Sequence, residues 1–123
     1  MLEDQKRWRL IKDFKKGKFC FLIGVDNWSI ELQKSEFDSL YLSLKSINDE
    51  LLAIKNELME EESIILELQN LPWFIELEGK KEEWSLRFVF ESQDQTRSFE
   101  MYWPIPLAQN LFYEIKEMWE SMD

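Results

Sequence analysis

The 123-residue sequence holds one cysteine, no histidine, three glycines and 25 acids against 15 lysines and arginines, for a net charge of −10. A lone cysteine excludes a disulfide framework and a multi-cysteine metal centre, and the missing histidine removes the commonest general base and metal ligand. With 45% hydrophobic and 15% aromatic residues the chain is apolar enough to bury one core, which excludes a disordered polymer.

The chain opens on a basic head. Its first 18 residues carry seven lysines and arginines against Glu3, Asp4 and Asp13, whereas the rest carries eight against 22 acids. The body therefore repels nucleic acid and anionic membrane, and only Lys6, Arg7, Arg9 and Lys12 are placed to meet a phosphate. The preferred reading of that head is a solvated lead-in, frayed over residues 1–7, with a short strand from Trp8 to Ile11. Lys15-Lys16-Gly17-Lys18 is a turn. Phe19 to Val25 is apolar on both alternations, as in a strand covered on two sides or at an interface. Asp26-Asn27 closes a hairpin into Trp28–Gln33, where Trp28, Ile30 and Leu32 face in.

A long helix over about 35–59 follows. Phe37, Leu40, Leu44, Ile47, Leu51, Ile54 and Leu58 recur at spacings of three and four, an apolar stripe. Ser35 with Asp38 reads as its capping box, and Glu60-Glu61-Glu62 as a solvated run beyond its end. The seven-residue register also fits a coiled-coil seam, but docking on a sheet is preferred.

Four more strands follow in a meander. Ser63–Gln69 turns Ile64, Leu66 and Leu68 to one face. After Pro72, Trp73, Ile75 and Leu77 oppose Phe74, Glu76 and Glu78. Gly79-Lys80-Lys81 turns into Trp84, Leu86, Phe88 and Phe90, with Ser85, Arg87, Val89 and Glu91 outward. The polar loop Ser92–Arg97 leads to Phe99, Met101 and Trp103, with Glu100 and Tyr102 outward. Pro104 and Pro106 then suit entry to a last helix over about 105–122, striped by Leu107, Leu111, Ile115, Met118 and Met122 and widened by Phe112 and Trp119. So broad a face at the chain end points to cover from a second subunit as well as from a sheet.

The expected fold class is α+β, in a single domain of residues 1–123. About seven mostly antiparallel strands fall in two runs, three and then four, each followed by a helix. Trp8-Arg9-Leu10 with Asp13, Leu22-Ile23-Gly24, Trp28-Ser29-Ile30-Glu31-Leu32, Glu36-Phe37, Glu57-Leu58-Met59 with Glu61-Glu62, Glu76 with Glu78-Gly79, Ser85-Leu86-Arg87-Phe88 and Trp103 together form a further pattern. It resembles a small uncharacterised cyanobacterial family, the domain of unknown function numbered 1818, over about Trp8 to Trp103. The family's usual glycine-rich lead-in is replaced here by residues 2–7. The resemblance implies a fold similar to the Whirly single-stranded DNA-binding regulators, with a cystatin-like description as the alternative. It implies no activity.

The residues carry no reaction motif. Gly17, Gly24 and Gly79 lie too far apart for a phosphate loop, and Cys20 has no histidine to activate it, so a structural buried thiol is preferred. Glu76 and Glu78, with Glu67 and Glu100 beside them, could hold a divalent cation or run acid–base chemistry. Period-two alternation makes a solvated sheet face the simpler reading. Phe74, Val89 and Tyr102 are apolar on the face that also carries Arg87, a greasy patch rimmed by charge. The expectation is an acidic, non-enzymatic interaction module of the cytoplasm, without cofactor or metal. It would be a homodimer joined mainly through the last helix, binding a protein partner through Phe74, Arg87, Val89 and Tyr102. The alternatives are a single-stranded nucleic-acid binder using the basic head and sheet aromatics, and a carboxylate enzyme using a divalent metal.

Overall fold

The computed structural model describes residues 7–122. Three strands come first: β1 (Trp8–Lys12), β2 (Phe21–Val25) and β3 (Trp28–Leu32). They pair antiparallel in the order β1-β2-β3. Helix α1 (Lys34–Ile54) leads into β4 (Ile64–Asn70), β5 (Trp73–Lys80), β6 (Glu83–Glu91) and β7 (Ser98–Trp103), an antiparallel sheet in the order β4-β5-β6-β7. Helix α2 (Leu107–Glu120) ends the fold. The α+β class, the two runs of strands and the helix after each run are as the sequence pattern predicts.

Alternation decides which face of each sheet is dry. Trp73, Ile75 and Leu77 of β5, Trp84, Leu86, Phe88 and Phe90 of β6, and Met101 and Trp103 of β7 are all buried. From the other sheet come Phe21, Ile23, Val25 and Leu32. The helices fill the space these faces define: α1 packs on β4 and β5, α2 on β6 and β1, and the two helices touch each other. Aromatic contacts mark the seams. Phe21 stacks on Phe37 with centroids 4.1 Å apart, and Tyr41 stacks on Trp119 at 4.6 Å. Burying an aromatic side chain in this way contributes about 1.5–3 kcal/mol from area alone.

Helix α1 departs from expectation at both ends. It starts one residue early, because Gln33 and not Ser35 stands at its N-cap; the Gln33 backbone N–H donates to Glu36 Oε1 at 2.9 Å. Asp38, expected in that box, instead accepts from Lys34 Nζ at 2.9 Å and from the Trp119 indole N–H at 3.0 Å. The α-helix stops at Ile54 rather than near residue 59; a 3₁₀ turn, Lys55–Glu57, follows, and Leu58 is already extended. Its buried side is also wider than one stripe, since Glu36, Tyr41 and Ser43 are buried with Phe37, Leu40, Leu44, Ile47 and Leu51. The stripe is docked inside the fold, and no seam is left for a coiled coil.

Gly79 is a second correction. It does not open the turn but lies within β5, opposite Trp84, at φ 153°. A Cβ there would sit 2.4 Å from the Glu83 carbonyl oxygen and 2.7 Å from Trp84 Cα, so the two strands approach only because no side chain intervenes.

Candidate functional site

The outer face of the four-stranded sheet is built by register. Pairing sets Phe74 opposite Val89, Glu76 opposite Arg87, and Arg87 opposite Tyr102. All four candidate contact residues, Phe74, Arg87, Val89 and Tyr102, therefore meet on one surface. Both helices lie against the opposite face. Tyr102 is 54% exposed, while Phe74, Arg87 and Val89 are half-buried by one another and by neighbouring strands. The Arg87 guanidinium lies 5.8 Å from the Phe74 ring centroid, within cation–π range. Its Nε donates to Glu76 Oε1 at 3.3 Å, and its Nη1 is 3.9 Å from Glu100 Oε1.

That arrangement also shows what the acidic face does. Glu76 and Glu100 converge on Arg87, and Glu67 faces Glu76 from β4. Among the described residues no group of three or more acidic or cysteine side chains is arranged to hold a metal ion. Glu60-Glu61-Glu62 is more than a solvated run. Glu61 pairs with Lys80 at 2.6 Å and Glu60 lies 3.5 Å from Lys81, tying the loop to the β5–β6 hairpin; Glu62 accepts the Met59 backbone N–H at 3.1 Å. The hydrogen bond from Lys80 holds the Glu61 carboxyl below its ordinary range.

Two arginines of the basic head are spent on the fold. Arg7 makes a two-pronged contact with Asp26, both N···O distances 2.9 Å, and that hydrogen bonding pulls the Asp26 carboxyl below its ordinary value. Arg9 crosses the sheet over Gly24 and donates to the carbonyls of Asp26 at 2.9 Å and Trp28 at 2.8 Å. Lys12 is exposed, its amine 6.0 Å from the Phe14 centroid. Lys6 lies outside the described residues. Cys20 is buried, as the sequence predicts.

One constellation escapes the sequence reading. Glu36, 8% exposed, is held by Arg97, whose Nη1 donates to Oε1 at 3.3 Å and whose Nη2 makes a short contact to Oε2. The same guanidinium lies over the rings of Phe19 at 4.7 Å and Phe90 at 5.2 Å, and the Glu36 carbonyl accepts the Trp73 indole N–H at 3.0 Å. Three elements and two loops meet at this ion pair. The only signal in the sequence was an arginine ending a polar loop beside an aromatic strand, and 61 residues separate it from its partner.

The model of the domain of unknown function DUF1818 matches residues 3–118. The chain belongs to the DUF1818 family. No curated protein matches it. A crystal structure at 1.80 Å from Prochlorococcus sp. NATL2A, described as a protein with unknown function from the DUF155 family, is 34% identical, with a TM-score of 0.85 over 97% of this chain and 99% of that one. Two marks of the family resemblance acquire a physical meaning in this DUF1818 chain. Arg9 lies over Gly24, joining Trp8-Arg9-Leu10 to Leu22-Ile23-Gly24, and Glu36 anchors the buried ion pair.

Proposed function

We propose that this DUF1818 protein is a non-enzymatic, acidic interaction module of the cytoplasm that binds a protein partner through the outer face of its four-stranded sheet. The observation that carries this reading is the meeting of Phe74, Val89, Arg87 and Tyr102 on a face that neither helix covers. An apolar centre with an arginine and a tyrosine inside a charged rim is the composition of a contact surface. The lone buried thiol suits a reducing compartment, and among the described residues no helix is long and apolar enough to cross a membrane. The same proposal takes the chain as a homodimer joined through α2, where Tyr113 is 56% exposed beside half-buried Phe112. Sedimentation equilibrium of the parent and of Tyr113→Glu reads that part directly; a monomeric parent removes it.

The partner reading is tested by placing a photo-crosslinking amino acid at position 102 and comparing the parent with the Phe74→Ser, Arg87→Ser, Tyr102→Ser variant. A specific adduct lost in an otherwise folded variant supports it; recovery of the same partner by the variant discards the patch.

The alternative is a Whirly-like reading with single-stranded nucleic acid as ligand. Weighing against it, Arg7 and Arg9 already satisfy the β2–β3 hairpin, and Glu67, Glu76, Glu78, Glu91 and Glu100 surround the sheet aromatics. Low-salt filter binding of a labelled oligonucleotide separates the two, and salt-sensitive retention would favour the alternative. The carboxylate enzyme is the weakest reading, since Arg87 already draws on Glu76 and Glu100, two of the acids that a cation would need.

A further inference from the structure

Each sheet ends on a strand whose outward backbone groups have no neighbour in the ladder. In the first sheet, the bond from the Asp13 N–H to the Cys20 carbonyl sets the phase of β1–β2 pairing, so Ile30 of β3 bonds back to Ile23 while Ser29 and Glu31 present their N–H and C=O outward. In the second sheet, the Ser92 N–H donates to the Arg97 carbonyl at 2.9 Å, which leaves the backbone groups of Ser98 and Glu100 on the outer edge of β7. Among the described residues no hydrogen bond to those groups is formed.

These two edges border the same space. A cleft of about 710 Å3 lies between them, lined by Ser29, Ile30 and Glu31 from β3, Ser98 and Phe99 from β7, and Phe19. Phe19, Ile30 and Phe99 are only half-buried there, although Phe99 stacks on Phe90 and Ile30 packs against the core. Neither strand contains a proline, which is one of the devices that close an edge to further pairing.

We infer that this cleft receives an extended peptide of a partner protein, which adds as a strand to the β3 edge with the β7 edge on its other side. Unpaired amides and carbonyls along a strand edge are complementary to an extended backbone. Alternate residues of the peptide are apolar and cover Phe19, Ile30 and Phe99. The intervening residues are lysine or arginine, favoured by the chain's net charge of −10; of the cleft's own ionisable side chains, Glu31 is paired with Lys16 and Arg97 with Glu36. This site is separate from the outer-face patch.

The probe is a displayed library of ten-residue peptides with apolar residues at alternate positions. Enriched sequences should carry basic residues between the apolar ones, and should slow amide exchange at Ser29, Glu31 and Ser98. Ser29→Pro and Ser98→Pro each remove one outward N–H that the sheets themselves do not use, and should weaken binding about tenfold for each bond lost. Phe74→Ser should leave it unchanged. No enriched sequence, unaltered exchange at the three amides, or full affinity in proline variants that keep the parent's melting temperature would each overturn the assignment. Should either proline variant unfold, the exchange pattern of the parent decides alone.

Discussion

Arg97 is the residue on which most neighbours depend. Its charge is balanced by Glu36 and its flat faces are covered by Phe19 and Phe90, so removing either partner strands the other in a poorly hydrated place. Glu36→Ala and Arg97→Ala should each cost about 3 kcal/mol, and the double variant clearly less than their sum. Urea denaturation of the four proteins in the cycle measures that coupling. Close by, Asp94 accepts from the Thr96 hydroxyl at 2.7 Å, the Ser92 hydroxyl at 2.8 Å and the Thr96 N–H at 3.1 Å, bonds that bring its carboxyl down from 3.8 to about 2. A depressed folded-state value stabilises above the unfolded one. The contribution of Asp94 is therefore complete above about pH 4 and is lost as the pH falls toward 2. The Thr96 amide resonance should titrate with that low midpoint, and Asp94→Asn should abolish the transition. Alternation along a strand could not announce either group, because one joins a loop to a helix and the other lies wholly within the Ser92–Arg97 loop.

At the scale of elements, strand faces were legible and ends were not. Period two separates Trp73, Ile75 and Leu77 from Phe74, Glu76 and Glu78 as the structure does, because water on one side and core on the other impose it. The bounds of α1 depended on which side chain reached its free N–H groups, and Glu36 reached back to Gln33. Gly79 misled for a related reason. Glycine marks turns, yet here it marks the place where β5 and β6 come too close for a Cβ. Gly79→Ala should cost about 2 kcal/mol and lower the melting temperature by several degrees. A calorimetric scan that shows no loss would contradict that reading of the strand.

Over the whole molecule, the core and the proposed contact surface occupy opposite faces of one sheet. Polar substitution of Phe74, Arg87 and Tyr102 should therefore change stability by about 1 kcal/mol or less in thermal denaturation, even where it removes the partner. Net charge acts at this scale too. With −10 spread over 123 residues, self-repulsion opposes compaction. Raising the salt concentration to about 0.5 M should raise the melting temperature, and a fall on adding salt would mean that ion pairs such as Arg7–Asp26 dominate the balance.

By itself the sequence determined the class of fold, the number and order of its elements, the dry face of nearly every strand and the family to which the chain belongs. Those properties follow from local periodicity and from residue identity, which neighbours a few positions away suffice to express. Only the tertiary structure decided that Arg97 closes on Glu36, that Arg7 and Arg9 serve a hairpin, and that the free edges of β3 and β7 share one cleft. Each joins residues distant along the chain, and no local pattern encodes which of many possible partners a side chain or a strand edge will meet.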